Sequence, residues 1–356
     1  MSVRATKKRT LTFVAAIVLI GVFYYSFFRE SLFDTQLSDT KSDKTTLTEQ
    51  DLRLLQSLSV PDRLTVNGAL LKPLLVPRVS GTQANKDVQE YIKSHFHKLG
   101  WKIEEDRFND TTPFGVKAFN NIIVSKFSNS PRKLILAAHF DSKYFPNNDF
   151  VGATDSAVPC AILLDVASTL NKYLSRSGNP EVGLELVFFD GEEAFEHWNR
   201  QDSVYGARHL ANKWSNIPAP NNKNISRIEA IELFVLLDLI GAKDSTILNL
   251  QYPTTSAFTQ LSQIEKRLTQ LSLLSKPMTA SKSADYFDTQ LFPGNIDDDH
   301  RPFLEKGVPI VHLIPYPFPQ VWHKLTDNAD AIDHDTVVDF SLLMRAFVAE
   351  YLRLYL

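Results

Sequence analysis

The chain has 356 residues, 44% of them hydrophobic and 22% charged, with a net charge of −3. That length buries one large core or two small ones, and the near-neutral charge excludes a broad basic field of the kind that gathers nucleic acid. Its 13 Gly and 18 Pro are too few and scattered for a fibrous or low-complexity chain, and the single cysteine, Cys160, excludes both an intramolecular disulfide and a four-cysteine zinc site.

Residues 1–10 carry Arg4, Lys7, Lys8 and Arg9 and no acid, a cytoplasmic basic tail. Residues 11–28 follow as 18 uncharged, mostly apolar positions, long enough to cross a bilayer as a signal anchor. A cleaved signal peptide is the alternative, but Phe23-Tyr24-Tyr25-Ser26-Phe27-Phe28 is too bulky for a small-residue cleavage site. The expected topology is single-pass type II in the secretory pathway, in Golgi or endoplasmic reticulum membrane, with the remainder lumenal. The acceptor sequons at Asn109-Asp110-Thr111 and Asn224-Ile225-Ser226 agree with that address. Residues 29–50 are polar and aperiodic and read as a stem, and residues 51–356 read as one domain without linker or repeat.

Within that domain, Val88, Tyr91, Ile92, Phe96 and Leu99 form a helical face over 85–99, stopped by Gly100. Strands are expected at 101–108, 119–127, 133–139, 183–189, 231–239 and 308–314, and helices at 157–173, 256–274 and 335–354. The alternation predicts a three-layer α/β/α domain around a mixed, mostly parallel sheet. In such sheets ligands gather beyond the carboxyl ends of the strands.

Acids and histidines stand at those ends. The strand at 133 runs into His139-Phe140-Asp141, that at 183 into Asp190-Gly191-Glu192-Glu193, and that at 231 into Asp238. The strand at 308 runs into His312, with Trp322-His323 soon after, and Asp155 sits where a helix begins. Singly, each has a plain structural explanation as a helix cap, surface acid, turn residue or core histidine. Four strands ending alike point instead to one convergent polar pocket. With one cysteine, any metal must be held by imidazole and carboxylate; Asp155, Glu193 and His323 make such a set, leaving a position open. Glu192 and Glu193 diverge as neighbours, so one can hold metal while the other moves protons.

The blocks 136–145, 150–160, 188–195, 236–242, 298–303 and 312–323, among them Phe188-Phe189-Asp190-Gly191-Glu192-Glu193 and Pro319-Gln320-Val321-Trp322-His323, closely resemble the animal-type glutaminyl-peptide cyclotransferases. These are a branch of the zinc aminopeptidase-like superfamily, and the likeness runs from about residue 83 to the C-terminus. The resemblance implies one zinc ion per chain on Asp155, Glu193 and His323, with Glu192 as the proton-shuttling acid supported by Asp238 and Asp298. It implies a substrate pocket of Trp198, Phe318 and Trp322, with His312 beside Asp298. The implied reaction closes an N-terminal glutamine of a peptide or protein into pyroglutamate and releases ammonia; the implied partners are such peptides and, through the anchor, a membrane, with no nucleic acid. A cysteine that some members pair with Cys160 is Ala138 here. The alternative is a zinc aminopeptidase, in which His139 and Asp238 would hold a second metal.

Overall fold

The computed structural model describes residues 46–126, 130–175, 181–243, 245–275, 285–292, 294 and 296–356. The expected tail, anchor and most of the stem lie outside the described residues. Thr46–Leu356 form one compact unit, and its first helix, α1 (Glu49–Ser57), starts inside the segment expected as stem. Thr48 and Asp51 cap that helix reciprocally, and Leu47, just ahead of it, is buried with its N–H donated to Glu350.

The other long helices are α2 (Gln83–Leu99), α3 (Val158–Leu174), α4 (Tyr205–Asn216), α5 (Thr255–Gln270) and α6 (His334–Tyr351). The main strands are β1 (Lys102–Thr112), β2 (Gly115–Lys126), β3 (Arg132–His139), β4 (Val182–Phe189), β5 (Ile231–Leu237) and β6 (Ile310–Leu313), ordered β1-β2-β4-β3-β5-β6. The β4, β3, β5 and β6 strands are parallel, and the β1–β2 hairpin adds an antiparallel margin. The predicted mixed sheet is therefore present, and its four parallel strands end on one edge.

Both faces are covered, so the parallel strands read as unbroken apolar runs whose side chains alternate between two cores. Leu134, Leu136, Ala138, Leu184, Leu186, Phe188, Val235 and Leu237 point into a core with α1, α2, α3, α5 and α6. Ile135, Ala137, Val187, Phe189, Phe234 and Leu236 point the other way, against Ala207, Leu210, Ala211 and Trp214 of α4. The segment Ala153–Leu174, which contains α3, is long and apolar enough to cross a membrane, yet 89% of its apolar window is buried inside the fold. It is a core helix.

The predicted 85–99 helix is α2, capped by Thr82 and ended by Gly100 at φ 69°. Differences lie at edges. The predicted helices 256–274 and 335–354 are shorter, as α5 and α6. The helix α4 was not predicted at all: Tyr205, Gly206, Ala207, Leu210, Ala211 and Trp214 do form its buried face, but it starts in the same stretch as the irregular 190–204 loop and lacks a capping side chain.

Candidate metal centre and acid cluster

The loop after β4 turns at Gly191, whose φ is 78°; a Cβ there would lie 2.5 Å from the Phe119 ring, so only glycine fits. Directly beyond it, the Asp141 carboxylate accepts the backbone N–H groups of Glu192 (3.1 Å) and Glu193 (3.2 Å). This fixes the acid doublet against the end of β3. Asp155 lies in the buried turn that leads into α3, and two anchors hold that turn. Arg78, fully buried, donates to the carbonyls of Phe140, Val151 and Gly152. Asp327 accepts from the Thr154 N–H (2.9 Å) and hydroxyl (3.0 Å), which ties the Asp155 turn to the segment carrying His323.

Asp155, Glu193 and His323, far apart in sequence, offer ligand atoms that all lie within 4.8 Å of one another. His323 Nε2 is 3.4 Å from Glu193 Oε2 and 3.5 Å from Asp155 Oδ2. Two ligands of a tetrahedral zinc, each about 2.0–2.1 Å from it, stand roughly 3.3–3.4 Å apart, so these separations suit one shared ion. Glu193 Oε1 and Asp155 Oδ2 are buried without any hydrogen-bond donor, the condition of acceptors facing a cation. The donor set and its spacing fit zinc.

The acids around this centre repel. Burial, then Glu193, pushes Asp155 up to about 7. Burial acts on Glu193 in the same sense, but the His323 hydrogen bond and the Lys143 ammonium, 3.3 Å from Oε2, outweigh it and bring the group down to about 2. Glu192 rises well above the usual carboxylate range through burial; His139 opposes that rise, and Glu193, Asp298 and Asp299 add to it. A divalent cation between Asp155 and Glu193 would offset that repulsion.

The supporting residues form a second layer. Ser156 donates its hydroxyl to Asp238 Oδ1, and the same oxygen is 3.4 Å from His139 Nε2. His139 Nε2 also lies 3.0 Å from Asp155 Oδ1 and 4.0 Å from Glu192 Oε2. Asp298 Oδ2 is 2.7 Å from His312 Nε2, and the His312 and His300 rings stand 4.3 Å apart. Burial and then Asp238 raise Asp298, the like-charge effect expected of two neighbouring carboxyls. His312 is buried and paired with Asp298, as the resemblance implied for a histidine beside that acid.

At the mouth, Trp322 stacks on His323 with centroids 4.2 Å apart and meets Phe318 edge-on at 4.9 Å. Phe318 is anchored on Leu239, Leu250 and Ile314. Trp198 stands apart from that pair in sequence and donates its indole N–H to Asp297 at 3.2 Å. Sequence reasoning noted Asp141 among the acids at a strand end without giving it a role, and gave no role to Lys143, Arg78 or Asp327.

Comparison with known proteins adds three findings. Residues 121–348 match peptidase family M28. The chain is 42% identical over 306 residues to the glutaminyl-peptide cyclotransferase of Drosophila melanogaster, covering 84% of each, and 43% identical to that of Bos taurus, covering 80% of this chain and 81% of the other. The crystal structure of Macrostomum lignano glutaminyl cyclase superposes with a TM-score of 0.81 at 41% identity, over 88% of this chain and 96% of that one.

Proposed function

The chain belongs to the glutaminyl-peptide cyclotransferases, within peptidase family M28, and from that premise we propose how its residues divide the work. The enzyme converts an N-terminal glutamine into pyroglutamate with release of ammonia, and it is zinc-dependent. Asp155, Glu193 and His323 would hold the ion; the observation that carries this is the meeting of their ligand atoms within 4.8 Å. Bound there, zinc supplies Lewis-acid polarisation of the γ-carboxamide oxygen.

Glu192 is the proton carrier. It is next to a proposed ligand without being one, and it is buried, so its carboxyl can pass a proton without being consumed by coordination. In the proposed cycle the substrate reacts as the free α-amine, its ammonium proton having gone to solvent. The amine attacks the γ-carbon, the Glu192 carboxylate takes a proton from that attacking nitrogen as the new C–N bond closes the five-membered ring, and Glu192 returns the proton to the departing nitrogen as the C–N bond to ammonia breaks. Both reacting groups belong to one residue, so the pocket's main task is to fold that residue and exclude water. Trp198, Phe318 and Trp322 pack around its methylene chain. Asp238 and Asp298, the latter paired with His312, support Glu192 by holding the acid layer in place.

A second reading rests on one observation. His139, Asp155 and Asp238 also bring ligand atoms within 4.8 Å of one another, the site a second metal would use in a zinc aminopeptidase. Purified full chain, incubated with a Gln-initiated peptide, decides between them: ammonia and a product lighter by one ammonia, with one zinc per chain, support the cyclase. Free amino acid with two metals per chain supports the peptidase.

We further propose that residues 11–28 anchor the enzyme in a secretory-pathway membrane, with a stem that ends before the folded unit begins at Thr46 and the catalytic domain lumenal. The basic tail ahead of the apolar run supports this, as do the exposed positions of both sequon asparagines, Asn109 and Asn224. Glycosidase-sensitive mass at those two residues, in protein from a secretory host, tests the orientation.

A further inference from the structure

The loop that carries Trp198 is tied to itself at its base. The buried Asp202 carboxylate accepts the N–H groups of Phe195, Glu196 and His197, each at 2.9 Å, and Asn199 Oδ1 accepts those of Gln201 and Asp202. These bonds hold the backbone; they do not orient the Trp198 ring. That ring is 39% exposed, and its hydrogen bond reaches across 99 residues of sequence to Asp297 Oδ2.

Asp297 belongs to a chain of charges that returns to the same loop. Its Oδ1 stands 3.3 Å from Arg301 Nη1; Arg301 Nε is 3.3 Å from Glu305 Oε1; and Arg200 Nη2 is 3.2 Å from that same oxygen. The circuit Trp198–Asp297–Arg301–Glu305–Arg200 thus closes on itself two residues from where it began. Half-exposed ion pairs of this kind contribute little to global stability. They do fix geometry locally, and here what they fix is the orientation of the Trp198 indole, on the loop that leads on from Glu193. The neighbouring Asp298 belongs to the acid layer, so Asp297 adds a further negative charge next to that layer in the chain.

We propose that Asp297 is a positioning and specificity residue: it clamps the Trp198 indole at the lip of the pocket, and its charge sets the preference for the residue that follows the N-terminal glutamine. The inference rests on the cyclase reading above. The indole wall contacts substrate in the ground and transition states alike, so loosening it weakens binding without slowing chemistry. Removing the Asp297 charge leaves Arg200 and Arg301 facing Glu305 alone, which makes the lip net positive and more welcoming to an acidic following residue.

Three variants of the full chain test this: Asp297→Ala, Asp297→Asn and Trp198→Phe. Asp297→Ala should raise KM on the order of ten-fold with kcat held within about two-fold. Asp297→Asn keeps a carbonyl acceptor for the indole N–H and should restore KM to within about three-fold. It should nonetheless shift the kcat/KM ratio of Gln-Glu to Gln-Lys peptides by about five-fold at low salt, fading at high salt. In the double variant Trp198→Phe/Asp297→Ala the KM effects should be clearly less than additive. An unmoved KM in Asp297→Ala, full additivity, or an unshifted peptide ratio in Asp297→Asn would overturn the assignment. Fluorine NMR of fluorotryptophan-labelled protein reads the clamp without turnover: the Trp198 resonance should move in Asp297→Ala and a static resonance counts against it. Failure of the wild type to release ammonia would instead sink the cyclase reading and the substrate role with it, while the resonance still reports whether the clamp exists.

Discussion

On the floor of the site, Asp155, Glu192, Glu193, Asp238 and Asp298 are all less than one-tenth exposed, and separate segments hold them: Asp141 accepts the Glu192 and Glu193 N–H groups, Ser156 donates to Asp238, His139 meets Asp155 and His312 pairs with Asp298. At the lip, Trp198 and Trp322 are each 39% exposed, and Trp198 is oriented by a single hydrogen bond. The difference lies in what each region has to resist. Buried carboxylates repel one another and lack water to screen them, so their positions must be over-determined or the cluster scatters. Aromatic walls have no such penalty; they need only the right orientation at the moment of binding. Floor and lip therefore should fail differently, the floor in metal content and kcat, the lip in KM.

The largest expected effect tests the floor. His323→Ala should lose zinc, measured by metal analysis, and with it turnover by at least about a thousand-fold, as several kcal/mol of charge stabilisation go. Retained zinc at one ion per chain would show that the ligand set lies elsewhere. Next comes Glu192→Gln, for which kcat should drop about a hundred- to ten-thousand-fold while zinc stays bound. Loss of zinc in that variant would merge the two roles that separate Glu192 from Glu193. At the lip, Trp322→Leu should raise KM by roughly ten-fold with kcat changed only a few-fold; a collapse in kcat instead would move Trp322 into the floor.

The smallest effect concerns acid. Burial tends to raise Asp202, but the N–H groups of Glu196, Phe195 and His197 and the Tyr205 hydroxyl outweigh it and hold this carboxyl below its ordinary range. A folded-state pKa below the unfolded value, about 3.9, contributes stability that is present above that value and disappears as pH falls through the folded one. Hydrogen exchange at the amides of Phe195, Glu196 and His197 should therefore speed up in the wild type below about pH 4, after correction for intrinsic rates. In Asp202→Asn the same amides should be less protected at neutral pH and respond less to acid. Equal protection in both proteins would break the claim that this carboxylate ties down the lip.

Much of the fold was legible because burial on both faces writes itself into composition. The runs at 133–139, 183–189 and 231–237 are short, apolar and bounded, and each is a parallel strand. The Gly100 stop and the 3.6-residue face of α2 were equally plain. The α4 helix was not, because its pattern runs on directly from an irregular loop with no cap to mark the start. Arg78 and Asp327 gave no warning, since their partners are backbone groups of loops 62 and 173 residues away.

Taken alone, the residue order determined which chemistry this protein can carry: one cysteine leaves imidazole and carboxylate as the ligands, and the strand ends put acids and histidines on a common edge. Only the tertiary structure decided how those groups divide. It drew the ligand atoms of Asp155, Glu193 and His323 within 4.8 Å of one another, kept the adjacent Glu192 out of that set, paired His312 with Asp298, and joined Trp198 to Asp297. The physical reason is that ligand type is a property of a side chain, whereas coordination, repulsion and orientation depend on separations of a few ångströms between residues that the chain itself holds far apart.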